Sequence, residues 1–255
     1  MNANCCTACR NVATVAKREL YGYFLSPVAY VFVVIFLALT GFFTFMAGGF
    51  FERGEASLSW PFFSWHPWLY LFLVPAVGMR LWAEEHRLGT MELLLTMPIT
   101  PWQAIVGKFL ASWAVLALAL VLTFPIVLSA AFLGDPDLGA IICGYCGSFL
   151  LAGGYLSVTC MTSAMTRNQV ISFIIAVVVL LFLILAGFPV VTDIIQKLLR
   201  GGSGLVDFIA SFSVMTHFYA FQKGVLDLRD VAFFLSLIGF SLFTTSVILR
   251  AQRSG

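Results

Sequence analysis

Long apolar stretches alternate with short polar segments along almost the whole chain, and this pattern predicts helices that span a membrane. A bilayer core about 30 Å thick needs roughly 20 apolar helical residues per span. The pattern therefore predicts an all-α polytopic membrane protein with six transmembrane helices. The predicted spans are about 27–50, 67–83, 101–133, 136–165, 170–188 and 228–249.

Short polar sequences that favour a helix start precede the predicted spans. A capping residue followed by proline suits the first turn of a helix, because that turn leaves backbone N–H groups without helical partners. The predicted starts are Ser26-Pro27, His66-Pro67, Thr100-Pro101 with a capping box to Gln103, Asp135-Pro136, a second capping box over 166–169, and Asp227. Pro75 and Pro125 fall inside the second and third spans and predict kinks there.

Charge is densest in the segment 84–100, between the second and third spans. Glu84, Glu85, Arg87 and Glu92 are four of the chain's 26 formally charged residues, 14 basic and 12 acidic. Two interpretations stay open: these charges contact a partner, or they are the solvated end of a helix.

The same segment contains a predicted short helix. Gly89 is a stop or swivel residue, Thr90 can cap a helix over 91–97 with Glu92 in its first turn, and Pro98 ends it. The helix is amphipathic, because its apolar residues share one face: Met91, Leu94 and Leu95. Such a helix is too short to span a bilayer and suits a membrane surface or a partner protein.

Two other regions have patterns of their own. The segment 190–226 has helical apolar periodicity interrupted at 201–204, which predicts short interfacial helices on the outer side between the fifth and sixth spans. In the fourth span, small residues recur four apart and predict a face for close helix packing. These packing residues are Ala140, Gly144, Ser148 and Ala152.

Composition and charge narrow the class of protein. Hydrophobic residues make up 61% of the chain and charged residues 10%, which excludes an ordinary soluble domain and predicts contact with lipid. The net charge of +2 and the lack of a basic run argue against nucleic acid as a partner. The Cys143/Cys146 pair is interpreted as helix packing, and the cluster Cys5, Cys6 and Cys9 receives no role.

Basic residues indicate the orientation of the chain. With the N-terminus inside, nine basic residues lie in inner segments and five in outer ones, so both termini are predicted to be cytoplasmic.

Several kinds of chemistry are disfavoured. The predicted spans have no Asp, Glu, Lys or Arg near their middles, which argues against a proton-coupled transporter. Gly107-Lys108 resembles the end of a phosphate loop, but Trp102 and Phe109 replace the glycine and the Ser or Thr that the loop needs. We expect no catalytic, cofactor or metal residues in this chain, and we do not expect it to be an enzyme.

The motif Glu84-Glu85-x-Arg87-x-Gly89-Thr90-x-Glu92-x-Leu94-Leu95, followed by Pro98 and Lys108, resembles that of ABC type-2 transporter permeases. The segments 25–30, 216–218 and 223–230 resemble the gliding-motility-associated branch of that family. His86 departs from the pattern, since arginine is common at this position.

This resemblance implies that 1–255 form a single permease domain in a bacterial inner membrane. It implies a second permease, identical or paralogous, and a cytoplasmic dimer of ABC ATPases that hold the ATP and magnesium. Residues 84–98 would contact the ATPase, and a partner with a periplasmic domain could join. The complex would export an unidentified substrate; alternatively, the chain would anchor or transmit force in a motility or assembly machine without moving solute.

Overall fold

Helices form almost all of the chain that the computed structural model describes, namely residues 2–54, 57–89, 100–188, 191 and 211–253. No strand occurs in this part of the chain. Four helical stretches in it are long and apolar enough to cross a membrane: Ala29–Glu52, Pro101–Leu133, Leu138–Met165 and Leu228–Gln252. The predicted class, an all-helical membrane protein, is confirmed in this coarser form.

The N-terminal segment forms a helix that the apolar pattern did not reveal. Helix α1 spans Asn2–Leu25 and leads through Ser26 into α2, Pro27–Phe42. Ser26 is extended and Pro27 occupies the first turn as predicted, but the Ser26 hydroxyl donates to the Tyr23 carbonyl at 3.1 Å instead of capping α2. The predicted first span then changes to a π-helical turn, Phe43–Ala47, followed by a short helix α3, Phe50–Arg53.

The predicted second span is not one continuous helix. Helix α4 spans His66–Gly78 and helix α5 spans Arg80–Leu88, with Met79 between them. Pro75 lies inside α4 and cannot donate a backbone hydrogen bond. Gly78 packs closely against Thr159 and Leu156, since a Cβ at Gly78 would lie 2.7 Å from Thr159 Cγ2. The break at Met79 therefore comes later than the kink expected at Pro75.

The third predicted span matches the structure closely. Helix α6 spans Pro101–Val121 and helix α7 spans Phe124–Leu133, with the bend just before Pro125 where it was predicted. The capping box is also confirmed: the Thr100 hydroxyl accepts from the Gln103 N–H at 3.4 Å, and the Gln103 side chain accepts from the Thr100 N–H at 3.2 Å.

Two other predicted helix starts were wrong in detail. Helix α8 spans Leu138–Met165 and is capped by Asp137, not by Asp135, because the Asp137 carboxylate accepts from Gly139 N–H at 2.9 Å. Helix α9 spans Gln169–Leu185 and is capped by Asn168 alone. The capping box over 166–169 does not form, because the Thr166 hydroxyl donates to the Asn168 carbonyl at 3.1 Å instead.

Residues 190 and 192–210 of the predicted interfacial segment lie outside the described residues. In the described part of this segment, helix α10 spans Val214–Gln222, and its buried side chains include Phe218 and Phe221, so one face of this helix packs against the rest of the protein. Helix α11, Leu228–Arg253, completes the fold. Its predicted cap is confirmed, because the Asp227 carboxylate accepts from Arg229 N–H at 3.0 Å.

Helix α8 is the centre of the packing. It contacts α4, α5, α6, α9, α10 and α11, and 67% of its most apolar window is buried, against 28–44% for the other three candidate spans. Helix α1 instead lies along α6. The described chain is therefore organised around α8, with α1 and α6 forming a second contact to one side.

A candidate coupling site around Lys108

Lys108 lies inside the apolar helix α6 and is only 4% exposed. Its Nζ lies 2.8 Å from Glu85 Oε1 on α5 and 3.3 Å from Glu19 Oε1 on α1. The Trp82 ring covers the same ammonium group, with its centroid 5.4 Å away. A buried charge is tolerated only when it is paired, so this lysine holds three helices together at one point.

The charges around Lys108 balance one another. Arg18 donates to Glu19 Oε1 at 3.1 Å, which gives a chain of two cations and two carboxylates. The side chains of Glu19 and Glu85 are 22% and 18% exposed, so this network is shielded from solvent more than an ordinary surface ion pair. Glu85, which was predicted to meet an ATPase, is thus engaged inside the chain.

Helix α1 is fixed to α6 along its length. Asn11 Nδ2 donates to Gln103 Oε1 at 3.3 Å, and the hydroxyls of Tyr23 and Ser112 are 2.9 Å apart. Burial raises the pKa of Tyr23 to about 12, so the phenol keeps its proton near neutral pH. Gly107 allows the two helices to approach, because a Cβ there would lie 2.8 Å from the Val15 side chain.

Helix α8 holds the break between α4 and α5. The Ser163 hydroxyl accepts from the backbone N–H groups of Trp82 and Ala83, both at 3.0 Å, and donates to the Met79 carbonyl at 2.9 Å. These groups would otherwise be unsatisfied, since a helix end leaves backbone donors and acceptors without partners. A side chain from another helix therefore caps α5 and fixes its direction.

His86 lies on the far turn of α5. Its pKa is lowered, first by burial and then by the nearby Arg167, against the opposing effect of Glu85. The imidazole is therefore neutral near pH 7, at the position where arginine is common in the motif.

The structure describes residues 84–89 and 100 of the coupling segment, which is the segment 84–100 that was predicted to couple the permease to the ATPase. Glu84 is half-buried, Arg87 is exposed, and Gly89 ends α5 in the left-handed conformation, with φ of 70° and its N–H donating to the Glu85 carbonyl. The other predicted coupling residues lie outside the described residues: Thr90, Met91, Glu92, Leu94, Leu95 and Pro98.

The small residues of α8 face other parts of the same chain. A Cβ on Gly144 would lie 2.5 Å from the Phe63 ring, and the Ser148 hydroxyl lies 2.7 Å from His66 Nδ1. Ala152 is 2% exposed. At the start of the stripe, Ala140 contacts Gly224, where a Cβ would lie 3.0 Å from the Ala140 Cα.

A second buried polar pair joins α10 to α11. His217 Nδ1 lies 2.6 Å from Asp230 Oδ1, and His217 Nε2 lies 3.0 Å from the Ser211 carbonyl oxygen. The imidazole also stacks on Phe233 with ring centroids 4.0 Å apart. Both ring nitrogens thus have hydrogen-bond partners, and the contact fixes α10 against the start of α11.

Sequence reasoning missed the parts of this site that come from distant helices. It did not assign roles to Glu19, Lys108 or Ser163. A lysine eight residues into an apolar helix is a usable signal, because such a charge requires an acidic partner, but the sequence offers several acids and does not select Glu19 and Glu85.

These observations define an all-helical membrane protein whose helices are joined by buried polar contacts beside a charged segment. The family model for the ABC-2 family transporter protein matches residues 69–250, and the chain belongs to this family. It is therefore a membrane permease component of an ABC transporter, which works with an ABC ATPase. The match does not support the narrower gliding-motility branch, and a comparison with curated proteins found no match.

Proposed function

We propose that this chain is the permease subunit of an ATP-driven export complex in a bacterial inner membrane, and that Glu84–Pro98 transmits the motion of a separate ATPase. In this proposal the chain is not itself an enzyme, and ATP and magnesium bind to the cytoplasmic ATPase dimer. A second permease, identical or paralogous, completes the pathway. A partner with a periplasmic domain and membership of the gliding-motility-associated branch are further parts of this proposal.

The observation that carries the proposal is the position of the Glu85–Lys108 ion pair. Glu85 lies four residues before Gly89, at the end of α5, and Lys108 lies in the second turn of α6. The pair thus joins the helices that precede and follow the coupling segment. A push on this segment would move α5 and α6 together, and Glu19 would extend the movement to α1.

Other contacts extend this route toward the centre of the protein. Ser163 ties the start of α5 to α8, so α5 is held at both of its ends. Because α8 contacts most of the other helices, a rotation of α5 would reach the whole packed domain. A rigid element with defined ends suits such transmission better than a solvated loop does.

The proposed topology has six crossings with both termini in the cytoplasm. Four stretches qualify as spans by length and composition alone. Helices α4 and α5 follow each other with one residue between them, and the apolar helix α9 has 17 residues, so these two parts would supply the remaining crossings.

Charge reversal tests the transmission role. The variants Glu85→Lys and Glu92→Lys should lower co-purification of the ATPase, or uncouple ATP hydrolysis from transport in proteoliposomes. Glu85→Lys should also weaken the contact between α5 and α6. The exchange Glu85→Lys with Lys108→Glu should restore coupling, because a lysine at 85 could pair with both carboxylates. Glu52→Lys is the matched control, an exposed acid in α3.

Two results would count against the proposal. An unchanged complex with unchanged coupled hydrolysis in both single variants would remove 84–98 from the mechanism. Coupled hydrolysis with no solute movement for any candidate substrate would favour the force-transmitting role over export.

A further inference from the structure

Two cavities of opposite character meet at Arg80. One, of about 440 Å³, has five charged side chains from α1, α5 and α6 in its wall, together with the apolar Leu81 and Leu88. The other, of about 280 Å³, is an apolar groove between α2 and α4. Arg80 lines both, so a charged compartment and an apolar compartment share one guanidinium group.

The wall of the polar cavity includes one cation and one carboxylate that form no ion pair in the described part of the chain. Glu19, Glu85 and Lys108 lie at its wall, where Lys108 pairs with both carboxylates. Arg80 and Glu84 also line it, but they form no hydrogen bond or ion pair among the described residues. They are one helical turn apart, a spacing at which opposite charges commonly pair, yet they do not pair with each other.

The apolar groove runs along the first turns of α2. Its α2 residues recur four apart at Pro27, Val31 and Ile35, which corresponds to about 12 Å of helix. The opposite wall is formed by Leu73, Ala76, Val77 and Met79. Val31 is 54% exposed, so the groove opens sideways at the surface of α2.

The groove lies at the end of a candidate span. The apolar stretch begins at Ala29, directly after the junction of α1 and α2, and the polar cavity includes Ser26 at that junction. The charged compartment therefore lies where a bilayer changes from hydrocarbon to headgroups, and the apolar compartment lies on the hydrocarbon side.

We propose that this cleft binds one membrane phospholipid with a phosphoethanolamine headgroup. An acyl chain would occupy the groove between α2 and α4, the phosphate would pair with Arg80, and the primary ammonium would pair with Glu84. The lipid links α2, α4 and α5 at the point where α4 and α5 are broken. This assignment does not depend on what the complex transports.

Lipid binding can be measured on the full chain, delipidated in mild detergent, by native mass spectrometry during titration with phosphatidylethanolamine. The wild type should retain one lipid and prefer phosphatidylethanolamine to phosphatidylglycerol. Arg80→Gln should weaken binding of both lipids about tenfold or more, because a charge-assisted contact is lost. Glu84→Gln should weaken phosphatidylethanolamine several-fold and leave phosphatidylglycerol unchanged.

Variants in the groove test the position of the acyl chain. Ala76→Trp should fill the groove and weaken both lipids, and Val31→Trp serves the same purpose if Ala76→Trp does not yield a monodisperse protein. Arg87→Gln is the matched control, an exposed arginine on α5 that lines neither cavity, and it should bind as the wild type does.

Three results would overturn the proposal. Wild-type binding in both Arg80→Gln and a folded groove variant would show that lipids bind elsewhere. Competition by soluble glycerophosphoethanolamine at the same concentration as the lipid would assign the site to a free phosphate ester. A preference for phosphatidylglycerol that Glu84→Gln leaves unchanged would reject the headgroup assignment.

Discussion

At Lys108, the free-energy cost of burying a charge is offset by two ion pairs. Its charge is buried, and two carboxylates from different helices compensate for it. Removal of one partner from a buried ion pair leaves the other charge uncompensated, which costs about 3–5 kcal/mol. The apolar helix tolerates this lysine only because α1 and α5 bring their acids to it.

Lys108→Met should therefore lower the free energy of unfolding by about 3–5 kcal/mol, since Glu19 and Glu85 would then face each other without a cation. Thermal unfolding in detergent measures the effect. The double variant Lys108→Met with Glu85→Gln should lose less than Lys108→Met alone. If both variants unfold at the wild-type temperature, the ion pairs carry no stability.

Ser163→Ala should destabilise the break between α4 and α5. The variant removes the acceptor for the Trp82 and Ala83 N–H groups and the donor to the Met79 carbonyl, and unsatisfied buried groups cost about 1–3 kcal/mol. Ser129→Ala is the control, because the Ser129 hydroxyl donates only to the Pro125 carbonyl on an exposed turn. Equal unfolding midpoints for the two variants would contradict the capping role.

His86 predicts a pH dependence of stability. Its pKa is lowered in the folded protein, mainly by burial, so the unfolded chain binds the proton more readily. The contribution of the neutral His86 to the free energy of unfolding is therefore fully present above the ordinary pKa of 6.5. It is lost as the pH falls from 6.5 through the lowered pKa of the folded protein. Unfolding midpoints of His86→Gln should fall less steeply with acidification than those of the wild type; parallel curves would refute this.

At the scale of helices, local signals predicted the cap of α6 and the bend near Pro125, but they missed the interruption at Met79. Thr100-Pro101 with Gln103 contains all the groups of its cap within four residues, so the sequence was sufficient. The interruption at Met79 depends on Ser163 and Thr159 of another helix, and no local pattern contains them. Two candidate caps, Asp135 and Asp137, lie two residues apart, and only the folded loop selects Asp137.

Helix α1 was missed for a related reason. Its residues mix charge and apolar groups without a long hydrophobic run, and its polar contacts to Gln103, Lys108 and Ser112 come from α6. Tertiary packing supplies most of the stability of such helices. The acidic and basic residues of the coupling site were visible in the sequence, but their pairing was not.

Gly107→Leu should separate α1 from α6. A Cβ at Gly107 already meets Val15 at 2.8 Å, and overpacking of this kind costs about 1–3 kcal/mol. Gly41→Leu is the matched control, because a Cβ there meets no atom within 4 Å. The milder Gly107→Ala should be relieved by Val15→Ala. An unfolding midpoint for Gly107→Leu equal to that of Gly41→Leu would mean that the close approach is not needed.

At the scale of the whole molecule, residues near the ends of the helices form two separate groups. Glu19, Glu85 and Lys108 meet in one group, and Gln252 near the C-terminus donates to the Ala164 carbonyl at the end of α8. Ser57, Asp137 and Lys223 line a single cavity in the other group. This grouping agrees with a chain that crosses the membrane repeatedly and returns to its starting side.

The proposed orientation places the first group in the cytoplasm. It follows from the excess of basic residues in the segments assigned to the inside, since positive charge is retained on the cytoplasmic face.

In a variant without native cysteines, single cysteines replacing Ser57 or Leu226 should react with an impermeant thiol reagent in intact cells. A cysteine replacing Arg87 should react only after permeabilisation. All three positions are exposed in the chain, so a failure to react would report the membrane and not burial in the protein. Labelling of position 87 from outside would invert the orientation, and a cytoplasmic ATPase could then not reach Arg87.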